Sequence, residues 1–323
     1  MIEVKNLVKR YGDFAAVDDL SFTVEDGEIL GFLGPNGAGK STTMNMITGY
    51  ISATEGDVFI EGYNMFEEPE KAKQCIGYLP EIPPVYPDMR VREYLNFVAE
   101  LRHVPRKERK AEVDRVMGLA RVDHMQRKLI KHLSKGYRQR VGMAQALLGN
   151  PKVIILDEPT VGLDPMQISW MREFIRSLAK EHTVILSSHI LFEVNAVCDR
   201  VLIINHGKKI ILDTPEQVIH TIGGTDGIYI AAKTTKEEMD RVVASISGIC
   251  NDDAVIGIAN VREERVPEEG VVACSLFPNE GADIRENVFN AFSKAGIPLV
   301  EMRSETKTLE EVFIALTGEG AEE

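Results

Sequence analysis

The chain has 323 residues, room for one large and one small domain, and its 44% hydrophobic and 27% charged residues exclude disorder, collagen-like repeats and a coiled coil as readings of the whole. The formal net charge of −13 is uneven, because residues 221–323 carry 9 basic and 20 acidic side chains. Neither portion holds the basic excess that binding along a nucleic acid demands, so no nucleic-acid partner is expected.

Four cysteines, Cys75, Cys198, Cys250 and Cys274, stand far apart and form no CxxC pair. That spacing signals neither a disulfide framework nor a zinc site and reads as buried thiols in a reducing compartment. The opening MIEVKNLVKRYG lacks the charged-then-apolar layout of a secretion signal. No run approaches the roughly 18 apolar residues of a membrane span, so any membrane role is expected to be exercised from outside the bilayer.

In chain order, the apolar run 29–33 reads as a first buried strand. Residues 81–150 carry helical periodicity and charge, with Tyr94, Phe97, Val98 and Leu101 on one stripe and Val113, Val116 and Met117 on another. They are predicted to form a helical subdomain, entered through EIPPVYPDMR, whose three prolines keep it irregular. A strand over 153–156 follows, then a helix whose apolar face is Ile168, Met171, Phe174, Ile175 and Leu178, then strands over 184–186 and 201–204. The continuous apolar character of these strands predicts a parallel sheet covered on both faces, an α/β layout. Beyond Pro215 and the glycines at 223–224 the pattern changes to strand 227–232, helix 235–246, strands 254–261 and 271–277, helix 284–295, strand 299–303 and helix 309–316. This β-α-β-β-α-β order predicts a small ferredoxin-like α+β domain over 221–323, after a first domain over 1–220.

Gly34-Pro35-Asn36-Gly37-Ala38-Gly39-Lys40-Ser41-Thr42 fits G-x-x-x-x-G-K-[ST] and lies between the strand ILGFL and a helix-like segment, the context of a phosphate-binding P-loop. The glycines let successive amides close around phosphate oxygens, Lys40 reaches the β- and γ-phosphates, and Ser41 ligates Mg2+. The run 153–156 ends in Asp157-Glu158. Neighbouring strand residues point to opposite sides, so the pair is predicted to divide its labour. Asp157 would hold Mg2+ or its waters, and Glu158 would act as general base on the attacking water. Alone, such a pair reads as a helix cap or a solvated loop; behind a P-loop the catalytic reading prevails.

Together these residues resemble the ATP-binding-cassette (ABC) ATPases, and the match becomes specific at Leu133-Ser134-Lys135-Gly136-Tyr137-Arg138-Gln139-Arg140, which is similar to the family signature. The resemblance implies an ABC-type P-loop NTPase fold that binds ATP. It also implies a head-to-tail homodimer, with Ser134 and Gly136 of one copy on the γ-phosphate held by the P-loop of the other. Ser134 reads independently as a helix N-cap. Further positions fall in register: Tyr11, implied to stack on adenine; Gly162-Leu163-Asp164 after the carboxylates; and His189, implied to contact the γ-phosphate. Two residues depart from the commonest family pattern. Lys135 replaces a signature glycine, and Glu81 stands where most relatives have glutamine. Glu81 retains the ability to ligate metal or orient water, but as a carboxylate it accepts hydrogen bonds without donating them.

The phrases LPEIPPVYPDMRVREYL and TLEEVFIALTG resemble the separate-chain ATPases of type-two ABC exporters. The resemblance implies an ATP-hydrolysing subunit at the cytoplasmic face of the membrane, energising an integral-membrane permease subunit on another chain. The loop 81–90 and a helix over 91–103, with Arg92 and Tyr94, are expected to form the docking groove. The alternative is a soluble ABC ATPase of translation or DNA repair; such relatives commonly carry two cassettes or long coiled-coil insertions, which this sequence lacks. A P-loop GTPase is disfavoured by the absence of an N-K-x-D sequence. No catalytic constellation is read in 221–323.

Overall fold

The computed structural model describes residues 1–188, 190–223, 227–246, 249–251, 254–256, 258–264, 270–278 and 284–305, with Leu309, Phe313 and Thr317. The chain divides into two units, Met1–Pro215 with Leu316–Glu323, and Glu216–Ala315. Along the first unit run β1 (Ile2–Tyr11), β2 (Phe14–Val24), β3 (Ile29–Leu33), α1 (Lys40–Ile47), β4 (Glu55–Ile60), β5 (Tyr63–Asn64), α2 (Pro69–Gln74), β6 (Ile76–Leu79), α3 (Val91–Leu101), α4 (Arg109–Leu119), α5 (Lys135–Ala146), β7 (Val153–Asp157), α6 (Pro165–Leu178), β8 (Thr183–Ser187), α7 (Leu191–Val197), β9 (Arg200–Asn205) and β10 (Lys208–Asp213).

The central sheet has the order β10-β9-β3-β8-β7-β6, and all its pairs are parallel except β10 with β9. Every residue of β3 and β8 is buried, as continuous apolar strands in a covered parallel sheet require. A second, antiparallel sheet, β2-β1-β4-β5, was not anticipated. Register shifts along β1 interrupt the alternation that would have announced it. One apolar cluster joins Ile2, Leu7 and Leu20 of this sheet to Met44 and Ile47 of α1 and to Phe32, Ile155 and Leu202 of the central sheet. It packs α1 against both sheets.

The segment 81–150 contributes α3, α4 and α5. The α3 stripe differs from the expected Tyr94, Phe97, Val98 and Leu101: the buried residues are Val91, Tyr94, Leu95 and Ala99, while Leu101 is exposed. Tyr94, expected on a docking surface, is only 2% exposed, and its hydroxyl bonds to Gln145 Oε1 and donates to the Pro84 carbonyl at 3.2 Å. It is a core residue that anchors the proline-rich loop. Arg92 remains at the surface, paired with Asp114 and donating to Gln126.

After α8 (Pro215–Gly223), the second unit contains β11 (Gly227–Lys233), α9 (Lys236–Ile246), β12 (Ile249–Asn251), β13 (Ala254–Ile256), β14 (Ile258–Glu264), β15 (Val271–Pro278), α10 (Arg285–Ala295) and β16 (Leu299–Glu305). Its antiparallel sheet runs β14-β15-β11-β16, with Ile230, Leu276, Val243 and Phe292 in its core. The single strand expected over 254–261 is divided: β13 pairs with β12 as a separate hairpin, and β14 joins β15. A glycine at 257 interrupts that run in the sequence, and glycine weakens a strand interior. Of the helix expected over 309–316, only Leu309 and Phe313 are among the described residues.

Candidate functional site

β3 delivers the chain to Gly34 at one edge of the central sheet, and the P-loop turns there into α1. Gly39 has φ +105°, and a Cβ at that position would lie 2.4 Å from the Ala16 carbonyl oxygen, so only glycine lets the loop pass. Lys40 is buried at the first position of α1, and its ammonium donates to the carbonyls of Gly34 and of Pro35, the latter at 3.1 Å. Among the described residues the N-cap Gly39 offers α1 no side-chain cap, and a helix start of this kind suits a phosphate acceptor.

Two strands away, β7 ends at Asp157. Ser187, at the end of β8, donates its hydroxyl to Asp157 Oδ1. Glu158 is not a strand residue, contrary to the expectation of two adjacent strand positions: it lies one step past β7 with φ +48°. This left-handed conformation costs a non-glycine residue roughly 1–2 kcal/mol. It is held by the Glu158 amide, which donates to the Ser187 carbonyl at 3.1 Å and reaches the Ser187 hydroxyl oxygen at 3.2 Å. The two carboxylates are therefore set apart by a turn rather than by strand alternation.

A cleft of about 390 Å³ brings these parts together. Its lining includes Pro35, Asn36, Gly37, Gly39, Lys40, Ser41 and Thr42, facing Glu81, Asp157 and Glu158, with Tyr11 at the rim. Gly34 and Ala38 shape the loop without lining the cleft. Phe14, which sequence reasoning passed over, joins the lining; it pairs directly with Tyr11 across the β1–β2 hairpin, and both rings are more than half exposed. The signal lay in YGDF, where two aromatics flank a two-residue turn. His189 lies outside the described residues. Ser134 and Gly136 do not line the cleft. Ser134 caps α5, its Oγ accepting from the Tyr137 amide at 3.4 Å, and Gly136 is buried under the Gln167 side chain.

Burial pushes the Asp157 carboxyl above its ordinary value, and the Glu81 carboxylate adds to the rise, while the Ser187 hydroxyl and the Lys40 charge pull the other way. Tyr78, on the strand beside Asp157, is pushed up to about 12 by burial and then by that carboxylate. The cleft thus concentrates negative charge opposite one lysine. Among the described residues no group of three or more His, Cys, Asp or Glu side chains is arranged to hold a metal alone. One or two carboxylates and a hydroxyl beside a phosphate cradle instead match the way Mg2+ is held jointly by protein and nucleotide phosphates.

A P-loop following a strand of a parallel sheet, a carboxylate pair at the end of a strand two places along that sheet and a capped signature helix in a helical insertion define an ABC-type nucleotide-hydrolysing cassette. The family model described as ABC transporter matches residues 17–161. Over 325 residues the chain is 35% identical to the ABC transporter ATP-binding protein YhcH of Bacillus subtilis (strain 168), covering 100% of this chain and 98% of that protein. It is 43% identical over 210 residues to the bacitracin transport ATP-binding protein BcrA of Bacillus licheniformis, covering 64% of this chain and 68% of BcrA. A solved ATP-binding subunit of an ABC transporter superposes with a TM-score of 0.64 at 30% identity, over 69% of this chain and 93% of that one. The chain belongs to the ATP-binding subunits of ABC transporters and is an ABC ATPase. The alternative of a soluble ATPase in translation or repair is not favoured by these relatives. No helix among the described residues is long and apolar enough to cross a membrane.

Proposed function

We propose that two copies of this chain clamp ATP and Mg2+ head to tail and hydrolyse the nucleotide to drive an exporter, through an integral-membrane permease subunit on a separate chain. One observation carries the reading: the cleft gathers the P-loop, Glu81, Asp157 and Glu158, but neither Ser134 nor Gly136. A single chain therefore offers half of the expected contacts, and a second copy in opposite orientation supplies the other half. The export direction rests on the likeness of the proline-rich and C-terminal phrases to type-two exporters.

The roles follow from position. The P-loop amides and Lys40 hold the phosphates, with Tyr11 and Phe14 placed for the base. Ser41 and Asp157 would hold Mg2+, with Glu81 beside them, and the bound ion would offset charge on the phosphate oxygens. Glu158, fixed by its amide to Ser187, orients and deprotonates water; the γ-phosphate contact assigned to His189 rests on the family resemblance alone. Ser134 and Gly136 present the N-terminal end of α5 to the partner copy's nucleotide.

A separate cavity of about 720 Å³, lined by Tyr50, Lys73, Tyr78, Pro84, Arg102 and Gln145 among others, is the proposed seat of the permease segment at the cytoplasmic face of the membrane. Tyr50 is exposed in that lining, and Ile82 and Tyr86 add exposed apolar side chains on the proline-rich loop.

Steady-state hydrolysis by the purified chain tests the reading. Glu158→Gln is expected to lower turnover by about 10²–10⁴-fold while nucleotide still binds. Unchanged turnover would remove Glu158 as the base.

A further inference from the structure

Two glycines, one in α5 and one in the loop before α6, are each covered by a side chain from the other stretch of chain. Gly162, in the loop after the carboxylates, has φ +71°, and a Cβ there would lie 2.3 Å from Lys135 Nζ and 3.0 Å from Lys135 Cε. Gly136, in the first turn of α5, would place a Cβ 2.2 Å from Gln167 Oε1 and 2.5 Å from Gln167 Cδ. Lys135 precedes Gly136, and Gln167 follows Gly162 by five positions. The two contacts therefore join the same two pieces of chain reciprocally.

Neighbouring interactions make each piece stiff. The backbone amide of Gln167 donates to Asp164 Oδ1 at 2.9 Å at the N-cap of α6. Further along, the Arg140 guanidinium of α5 lies 4.0 Å from the ring centroid of Trp170 on α6. On the other side, tight turns lead back to the carboxylate pair: the Val161 amide donates to the Glu158 carbonyl at 3.3 Å, and the Leu163 amide to the Thr160 carbonyl at 3.1 Å. A lysine in the first turn of a helix also opposes the macrodipole. Lys135 thus gains nothing from its own helix, and its stem is spent across the loop at Gly162.

We propose that Lys135 and Gln167 are positioning residues of the hydrolysis reaction. They lock the Ser134–Gly136 end of α5 to the loop that begins at Glu158, so that the placement of one sets the placement of the other. The proposal rests on the roles given above to Glu158, Ser134 and Gly136, and goes beyond them by assigning work to two side chains that do not line the cleft. A packed pair of elements with a discrete seat transmits displacement as a unit rather than absorbing it.

The test has one arm that needs no dimer. In nucleotide-free protein, Gln167→Ala is expected to raise amide exchange about fivefold at both 134–138 and 160–164, leaving the central sheet unchanged. Faster exchange in only one of those segments, or in neither, overturns the lock. In the second arm, Gln167→Ala and Lys135→Ala lower kcat for ATP about tenfold with KM within about twofold, and Gln167→Met, which refills the space over Gly136, recovers most of kcat. An unchanged kcat, a loss that Gln167→Met does not rescue, or a loss matched by a fall in melting temperature would also overturn it. Full turnover in Glu158→Gln defeats the hydrolysis reading instead, and the exchange arm still decides the lock.

Discussion

The central sheet of the first unit and the sheet of the second are of opposite kind, and only one gathers chemistry at its edge. In the first, Leu79, Leu156, Leu186 and Phe32 stand close to level across parallel strands, so the chain leaves β6, β7, β8 and β3 at the same edge. Glu81, Asp157, Glu158 and the P-loop follow from that geometry, as ligand sites in open parallel sheets generally do. In the second unit, Gly227 at the start of β11 lies beside Glu305 at the end of β16, and Ile228 beside Leu276 near the end of β15. Antiparallel strands send successive loops to opposite ends. The apolar face of that sheet is filled by α9 and α10 through Met239, Val243, Val288 and Phe292. One sheet brings its loops together; the other serves as a packed layer.

The sharpest way to separate the two is to damage the layer and leave the edge. Phe292→Ala removes a fully buried ring and is expected to cost about 3–5 kcal/mol in the second unit, with nucleotide affinity unchanged in a fluorescent-nucleotide titration. A parallel loss of affinity would break the division. In the opposite direction, Lys40→Ala is expected to weaken nucleotide binding about 100-fold, from the loss of its charge-assisted phosphate contacts, while the second unit keeps its melting transition.

Two smaller effects lie in the helical segment. Tyr94→Phe leaves Gln145 and the Pro84 carbonyl without the hydroxyl and should cost about 1 kcal/mol in denaturant unfolding. No loss would mean that the hydroxyl is dispensable to the proline-rich loop. Glu112 is held below the usual carboxylate range chiefly by its two hydrogen bonds from Arg115, with the Gly149 amide adding to them. A lowered folded pKa stabilises the protein above the unfolded value of about 4.3 and is lost as pH falls through the folded one. Arg115 is about a third exposed, so the effect should stay below about 1 kcal/mol. Glu112→Gln should accordingly flatten the acid limb of the stability profile; an unaltered limb would show that the pair carries no pH-dependent stability.

The parts legible in the sequence are those whose physics is local. The P-loop could be read because a backbone that wraps phosphate needs glycine at fixed offsets, and the run 29–33 coincides with β3 because a strand buried on both faces leaves no polar gap. What was not legible depends on distant packing. The β1 sheet hides behind register shifts, and Phe14 matters only because its partner across the hairpin is Tyr11. The left-handed turn at Glu158 is dictated by Ser187, 29 positions away. Tyr94 carries an amphipathic stripe that reads equally well as surface or core. Nothing about Gln167 is unusual until Gly136 is found beneath it.

The proposed mechanism requires two copies of the chain to complete one nucleotide site. Sedimentation velocity of Glu158→Gln with ATP and Mg2+ tests this directly: the expected result is conversion of monomer to dimer that reverses when nucleotide is removed. A protein that binds the nucleotide and still sediments as a monomer would contradict it.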